Sequence, residues 1–167
     1  ELIIHPFWDR DGVHEINRRW RAILDEYVDR MMVAEAWVHS KHLPLYLRPD
    51  EYHQAFNFDL LETPWRAAAF SNVITTAVTA ANAIGATTTW VLSNHDVVRH
   101  ATRYGLPNEV NWRRWPLDGP HEVLDQDIGD RRARAAALIT LSLPGSTYIH
   151  QGEELGLPEA WELPTKV

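Results

Sequence analysis

The stretch that most constrains the fold is residues 87–96, Thr-Thr-Thr-Trp-Val-Leu-Ser-Asn-His-Asp. Its first six residues are β-branched or apolar, which is typical of a buried strand, and its last four are polar. Residues 31–37, Met-Met-Val-Ala-Glu-Ala-Trp, repeat this arrangement, with Glu35 directly after an apolar run. Polar groups at the carboxyl ends of buried strands form the active sites of α/β enzymes. Two such strand ends predict an α/β fold with a functional site at one edge of its sheet.

Helical periodicity precedes the first strand. The pattern predicts a helix over about residues 12–29 with Asp11 as its cap. Its charged side chains are expected to face solvent. The residues predicted to form its apolar, core-facing side are Val13, Ile16, Trp20, Ile23, Leu24, Tyr27 and Val28.

The rest of the chain continues the alternation of strands and helices. Residues 38–54 contain two prolines, which predicts a short or broken helix, and residues 54–60 alternate as a strand does. Thr63-Pro64 is expected to start a helix that Gly85 ends. Residues 97–129 are predicted to form an ordered wall over a site, followed by a helix capped by Asp130 and a strand at 147–149. A helix followed by four strands and three helical segments is half of an eightfold barrel.

Composition excludes several classes of function. The chain has 167 residues, 45% of them hydrophobic, and a net charge of −7 with no run of Lys or Arg. This argues against nucleic acid or an anionic membrane as a partner. Cysteine is absent, which excludes disulfides and thiolate metal sites. No apolar run approaches the roughly 18 residues of a membrane span, so we expect no membrane and a cytoplasmic location. The first residues, which lack a Met, look like the middle of a longer protein.

Four motifs in this order resemble signature regions of the α-amylase family of glycoside hydrolases, family 13. They are residues 33–37, 55–59, 94–99 and 148–156. The last three most resemble the α-glucosidase and oligo-1,6-glucosidase branch, especially its actinobacterial members. The resemblance implies that residues 1–167 are a single partial domain, the carboxyl-terminal half of the catalytic barrel. The expected fold is therefore a (β/α)8 TIM-barrel fragment covering about strands 5 to 8.

The resemblance also implies roles for individual residues. Glu35 matches the acid/base that protonates the leaving oxygen, and Asp96 matches the carboxylate that stabilises the oxocarbenium-like transition state. His95 matches the histidine that hydrogen-bonds ring hydroxyls. Arg99 is expected to contact a catalytic carboxylate or a sugar hydroxyl, or to make a structural ion pair. No metal and no cofactor are predicted. The residues predicted to bind substrate are His95, Asn94, Arg99 and Phe58.

One catalytic group of the family has no counterpart in this chain. Retaining glycosidases need a carboxylate nucleophile about 5–5.5 Å from the acid. In the family it is an aspartate two residues after an arginine at the end of the fourth strand, and no such motif precedes Glu35. Asp9 and Asp11 flank Arg10, but Asp11 follows it directly and leads into a helix. The chain is therefore expected to be a fragment, inactive alone. Its exposed strand edges should pair with the missing half or with another copy.

Three functions remain open from the sequence. The first is a retaining α-glucosidase that removes terminal α-linked glucose from short oligosaccharides. The second is a trehalose synthase-like transglycosylating isomerase. The third is a non-catalytic relative, such as the heavy-chain subunits of amino-acid transporters, that uses the barrel as an interaction domain. The presence of Glu35, His95 and Asp96 together favours an enzyme.

Overall fold

Short parallel strands alternate with helices along residues 6–162, the part of the chain that the computed structural model describes. Residues 1–5, part of the stretch predicted to come from the middle of a longer protein, lie outside this range. The elements are α1 Gly12–Leu24, β1 Val33–Ala34, α2 Leu43–Tyr46, β2 Gln54–Ala55, α3 Phe58–Glu62, α4 Ala67–Ile84, β3 Thr89–Val91, α5 His100–Arg103, α6 Trp115–Asp118, a 3-10 helix His121–Val123, α7 Gln126–Ser142 and β4 Ser146–Tyr148.

The strands pair in two separate sheets. β1 pairs with β2 and β3 pairs with β4, both in parallel. Side-chain hydrogen bonds join the two pairs: Thr89 Oγ1 donates to the Ala55 carbonyl, and Gln54 Nε2 donates to Ser146 Oγ at 2.7 Å. The predicted alternation and parallel pairing are confirmed. The expected continuous sheet does not form, because strands of two or three residues offer few backbone groups for pairing.

The strand predicted over residues 54–60 is wrong in its second half. β2 ends at Ala55, and α3 begins at Phe58. Asn57 caps α3, since its Oδ1 accepts a hydrogen bond from the Leu60 N–H at 3.3 Å. Phe58, Leu60 and Leu61 are all buried, so this short segment is apolar enough for either a strand or a buried helical turn.

α1 is shorter than predicted and presents the opposite face to the protein. It ends at Leu24, and Asp11 makes no side-chain capping bond. The buried residues of the helix are His14 and Asn17. Ile16, Trp20 and Ile23, predicted to face the core, are 47%, 53% and 57% exposed.

A buried carboxylate explains this orientation. Glu51 is fully buried in the segment between α2 and β2. His14 Nδ1 and Asn17 Nδ2 lie 2.8 and 3.1 Å from its Oε2. Arg18 Nη1 and Arg48 Nη2 lie 3.3 and 2.9 Å from its Oε1. Because an unpaired buried carboxylate is very costly, these contacts hold the polar side of α1 inward.

α4 covers the main core. Its end at Gly85, in the left-handed region with φ +67°, is confirmed. Its start is later than predicted: Thr63 belongs to the end of α3, where its Oγ1 donates to the Asp59 carbonyl. The apolar face of α4 packs against a cluster of buried residues that includes Trp90 and Leu92.

α4 corrects the expectation that no apolar run of this chain approaches the length of a membrane span. Its 18 residues are long and apolar enough to cross a membrane by length and composition. Such a helix is weak evidence for a span, because core helices meet the same criterion. Only 11% of this helix is buried in the described structure: Phe70 belongs to the core cluster, and Val73, Ile74 and Ala77 pack against it from one side of the helix.

The segment between β3 and α7 is ordered, as predicted, and contains α5, α6 and the 3-10 helix. The capping prediction for α7 is wrong. Asp125, not Asp130, caps the helix by accepting a hydrogen bond from the Ile128 N–H at 2.9 Å. Asp130 lies one turn inside α7, where it accepts a hydrogen bond from Gln126 Nε2.

Candidate active site

The carboxyl ends of all four strands surround one open cleft of about 210 Å³. Each strand contributes residues from its last position or from the segment that follows it. The strand ends converge as predicted, but of the residues predicted at this rim only Glu35, Asn94 and His95 line the cleft. The lining residues are Glu35, Phe56, Phe58, Val91, Ser93, Asn94, His95, Tyr148, Ile149 and His150.

Glu35, His95 and Asp96 come together at this cleft. One oxygen or nitrogen of each side chain lies within 4.8 Å of those of the other two. His95 Nε2 is 3.4 Å from Asp96 Oδ1, and these side chains are 70% and 54% exposed. The expected proximity of the Glu35 and Asp96 carboxyl groups, within about 10 Å, is confirmed. Among the described residues, these three exposed side chains are also spaced closely enough to hold a metal ion, a spacing that exposed acidic groups commonly show without one.

The loop after β3, which carries His95 and Asp96, is held by hydrogen bonds from the protein interior. Asn94 Oδ1 accepts a hydrogen bond from the Asp96 N–H at 2.9 Å, which shapes the turn. Ser93 Oγ accepts from the His100 N–H at 2.9 Å and lies 3.0 Å from His100 Nδ1, which closes the loop. Glu153 Oε1, from the segment after β4, lies 3.1 Å from the same nitrogen.

Arg103 holds both ends of this loop. Its guanidinium is buried and donates to the carbonyls of Leu92 and Val98, both at 2.9 Å, and of Leu61 at 2.6 Å. Burial lowers the pKa of Arg103, and the rings of Tyr104 and Trp112 lie 5.3 and 5.2 Å from the guanidinium carbon. From the sequence, Arg103 was predictable only as part of the ordered segment over residues 97–129. The feature of the sequence that could have indicated its role is a positively charged residue within a tryptophan-rich segment.

In the described part of the chain, the side chain and main-chain N–H of Arg99 donate to the segment after β4 and not to Glu35 or Asp96. Its Nη1 donates to the Gln151 carbonyl at 2.8 Å, and its main-chain N–H donates to Glu159 Oε2 at 3.0 Å. The side chain therefore ties the segment after β4 to the loop after β3. Of the three roles expected for Arg99, these contacts agree best with the structural one.

The aromatic residues of the cleft differ from the predicted set. Phe58 lines the cleft but is buried, with its ring stacked on Trp37 at 3.9 Å and an interplanar angle of 13°. Phe56 and Tyr148 pack edge to face at 4.8 Å. Asn57 and Asp59, expected at the same rim, line another cavity, between α2 and α4. Gln151 and Glu154 do not line the cleft either; residues 148–150 do.

The side-chain amide nitrogen of Asn94, a residue that lines the cleft, has no hydrogen-bond acceptor in the described part of the protein. This nitrogen, Nδ2, is shielded from solvent. A buried amide donor without a partner costs free energy, and a ligand oxygen at that position would remove the cost. The cleft thus offers the Glu35 carboxylate and the His95 imidazole to a small polar ligand, with the Asp96 carboxylate beside them.

Comparison with known proteins gives a consistent result. The family model described as "Alpha amylase, catalytic domain" matches residues 5–166. A "Probable alpha-glucosidase" of Rhizobium meliloti (strain 1021) is 30% identical over 173 positions, covering 94% of this chain and 27% of its own length. "Maltase A1" of Drosophila melanogaster is 24% identical, covering 86% of this chain and 22% of its own length. The chain thus spans about a quarter of the length of these relatives.

Solved structures agree with this match. The crystal structure of an α-glucosyl transfer enzyme, XgtA, aligns with a TM-score of 0.68 and 26% identity, covering 90% of this chain and 25% of that one. The trehalose-6-phosphate hydrolase of Bacillus licheniformis aligns with a TM-score of 0.64 and 22% identity, covering 90% and 26%. At that identity the second likeness shows the fold alone.

Proposed function

The chain belongs to the family of α-amylase catalytic domains, and from that membership we propose that it is part of a retaining α-glucosidase. Catalytic domains of this family are (β/α)8 TIM barrels, and its relatives here are glycoside hydrolases of family 13. The proposal is that residues 1–167 form a single partial domain, about strands 5 to 8 of the barrel. The parent protein would remove terminal α-linked glucose from short oligosaccharides, without a cofactor and in the cytoplasm.

The observation that carries the proposal is the convergence of Glu35, His95 and Asp96 within 4.8 Å at the strand ends. Glycosidases act with a pair of carboxyl groups on either side of the scissile bond and an oxocarbenium-like transition state. A second carboxyl beside the acid, together with an imidazole, suits the binding of ring hydroxyls and a developing positive charge.

In this mechanism Glu35 donates its proton to the glycosidic oxygen as that bond breaks and the anomeric carbon forms a bond to a carboxylate nucleophile from the rest of the protein. Asp96 and His95 hold hydroxyls of the glucose ring, and the Asp96 charge stabilises the cationic transition state. Asn94, whose Oδ1 accepts from the Asp96 N–H, shapes the turn that presents His95 and Asp96. After the first step Glu35 acts as base and takes a proton from the attacking water.

The nucleophile is proposed to come from outside residues 6–162. Asp9 is the nearest sequence candidate, but its carboxylate lies against His42 Nδ1 at 2.5 Å and accepts from the Tyr46 hydroxyl at 2.8 Å. A carboxylate occupied in this way, and absent from the Glu35 cluster, suits a structural role. This supports the view that the isolated chain lacks a complete catalytic set.

Glucosyl transfer is a second candidate. The likeness to an α-glucosyl transfer enzyme at 26% identity favours it, as the likeness to a probable α-glucosidase at 30% favours hydrolysis. Both reactions begin with the same proton donation by Glu35 and differ in the acceptor. A trehalose-forming isomerase belongs to this second candidate. A purely interacting relative would have no need of three convergent polar groups.

Product analysis of the full-length protein on maltose tests the proposal. Glucose as the sole product supports the glucosidase, whereas trehalose or longer oligosaccharides support transfer. The isolated 167-residue chain should release no chromophore from a chromogenic α-glucoside. No product from the full-length protein on any α-glucoside would contradict both candidates. Turnover by the isolated chain that Glu35→Gln abolishes would contradict the missing nucleophile.

A further inference from the structure

We infer that Glu159 is a positioning residue of the active site, which fixes the place of Asp96 from the segment after β4. The inference rests on the proposed function, because the place of Asp96 matters only if this carboxylate acts on the substrate. Glu159 lies 60 positions after Arg99, and its Oε2 accepts a hydrogen bond from the Arg99 main-chain N–H at 3.0 Å. Arg99 follows Asp96 by three positions and is the N-cap residue of α5.

The start of α5 depends on hydrogen-bond acceptors from other segments. The first N–H groups of a helix have no partner within it, and a capping side chain usually supplies an oxygen. The guanidinium of Arg99 can only donate, and Arg99 makes no side-chain capping bond. Its main-chain N–H is bound by Glu159 instead, and the His100 N–H is bound by Ser93 Oγ at 2.9 Å. These two acceptors replace a local cap at the end of the active-site loop.

The Glu159 carboxylate is itself held in position. The main-chain N–H of Glu159 donates to Thr102 Oγ1 at 2.8 Å, and Thr102 is fully buried in α5. The second carboxylate oxygen, Oε1, accepts from the Ala160 N–H at 3.1 Å. Because both carboxylate oxygens and the main chain of Glu159 are bound, the residue offers a fixed, charged acceptor to the Arg99 N–H.

The segment after β4 contacts the start of α5 at two further points. Arg99 Nη1 donates to the Gln151 carbonyl at 2.8 Å, and Glu153 Oε1 lies 3.1 Å from His100 Nδ1. This segment also lines the cleft through His150. The two walls of the cleft that follow β3 and β4 are therefore joined behind it, and Glu159 is the contact nearest to the end of the Asp96 loop.

The connection from Arg99 to Asp96 is short and packed. Only Val97 and Val98 separate the two residues. Val98 is buried, and Val97 packs against the apolar cluster that contains Phe58. The Asp96 side chain is 54% exposed, so its own surroundings hold it only weakly. Since packed protein interiors transmit displacements instead of absorbing them, a shift of Arg99 should move Asp96.

A kinetic comparison in the full-length protein tests the inference. Glu159→Ala removes the acceptor for Arg99, and a misplacement of about 1 Å can cost about 100-fold in rate. The kcat for maltose should therefore fall by about 10–100-fold with a change in KM below about 3-fold, because the Asp96 charge acts mainly on the transition state. The kcat for α-glucosyl fluoride should fall by the same factor, since the role of Asp96 does not depend on the leaving group.

Two further variants control this comparison. Glu159→Gln keeps one carbonyl oxygen for the Arg99 N–H, so its kcat should stay within about 3-fold of the wild type. Glu162→Ala is the matched control, because Glu162 is an exposed glutamate of the same segment, and both constants should be unchanged. An unchanged kcat in Glu159→Ala, or a loss on maltose alone, would overturn the inference.

Hydrogen exchange separates positioning from stability and needs no activity. In Glu159→Ala, peptides that cover residues 93–103 should exchange faster than in the wild type, while peptides from β1 and α4 keep their protection. Exchange that is unchanged in residues 93–103, or raised equally throughout the protein, would overturn the inference. A wild-type protein that acts on neither substrate would contradict the proposed function instead, whatever the exchange result.

Discussion

The side chains behind the Asn94, His95 and Asp96 loop determine where its polar groups point. Arg103 donates to the carbonyls on both sides of the loop, and the Ser93–His100 pair closes it. Hydrogen bonds to a charged group contribute about 1.5–3 kcal/mol each, and loss of a buried donor leaves its acceptors unpaired. The separation of Glu35 and Asp96 therefore depends on residues that never touch the ligand.

Asp9 provides a residue-scale prediction about pH. Burial alone would raise the pKa of its carboxyl, but hydrogen bonds from His42 and Tyr46 lower it below the usual value of 3.8. Burial and the bond to Asp9 raise the pKa of Tyr46, so its hydroxyl stays a donor at neutral pH. A carboxyl with a lowered pKa stabilises the fold above its unfolded pKa, and this contribution is lost as pH falls through the folded value.

Asp9→Asn should therefore reduce the free energy of unfolding by about 1–2 kcal/mol at pH 7. The deficit should shrink as pH falls below about 4. Asparagine accepts the left-handed backbone of this position, so backbone strain is not changed. Urea unfolding at pH 7, 5 and 3 gives the comparison, with Asp11→Asn as the control because Asp11 is exposed and makes no capping bond. A deficit that is the same at every pH would show that the carboxylate charge is not involved.

At the scale of elements, the contact between α5 and α7 supports the active-site loop. α5 carries His100 and Arg103, and it packs on α7 at Gly129. A Cβ atom built on Gly129 would lie 2.1 Å from the Ala101 carbonyl oxygen, which belongs to the backbone and cannot move alone. The glycine is therefore needed for the close approach of the two helices.

Gly129→Ala should destabilise the protein by about 1–3 kcal/mol through overpacking. Gly12→Ala is the matched control in α1, because nothing lies within 4 Å of a Cβ at that position. It should stabilise the protein slightly, by at most about 1 kcal/mol, since alanine is the better helix former. Chemical unfolding of the two variants measures the difference. Equal effects would show that the helices adjust to one another without cost.

The elements also show how far the sequence predicts this structure. Gly85 and the polar ends of β1 and β3 were predictable, because each signal is local. The orientation of α1 was not, because Glu51 lies 34 positions from its partner Asn17. Asn57 was read as part of a strand because a short apolar run fits a strand and a buried helical turn equally well.

The same distinction holds in the site. Glu35 directly follows one recognisable apolar run, His95 and Asp96 lie shortly after another, and the structure brings the three together. Arg103, Glu153 and Glu159 act through partners far along the chain; Arg99 and Glu159, for example, are 60 positions apart. A single sequence gives no indication of such pairs before the fold is known.

At the scale of the whole molecule, large apolar side chains remain exposed on two helices. They include Ile16, Trp20 and Ile23 on α1 and Leu138 and Leu141 on α7. The described strands also form two separate pairs with open edges, which are prone to bind other strands. We propose that these surfaces pack against the remainder of a family barrel or against a second copy. The relatives are about four times longer than the matched region, which supports this proposal.

The most direct test of the account is the effect of Glu35→Gln in the full-length protein on two substrates. Glutamine keeps the shape of the side chain and removes the acidic proton. Maltose hydrolysis should fall by about 10²–10⁴-fold, whereas the first step with α-glucosyl fluoride, whose leaving group needs no proton, should fall much less. Glu109→Gln, at an exposed position outside the cleft, serves as the control. Equal losses on both substrates, or none on either, would contradict the assignment of Glu35 as the proton donor.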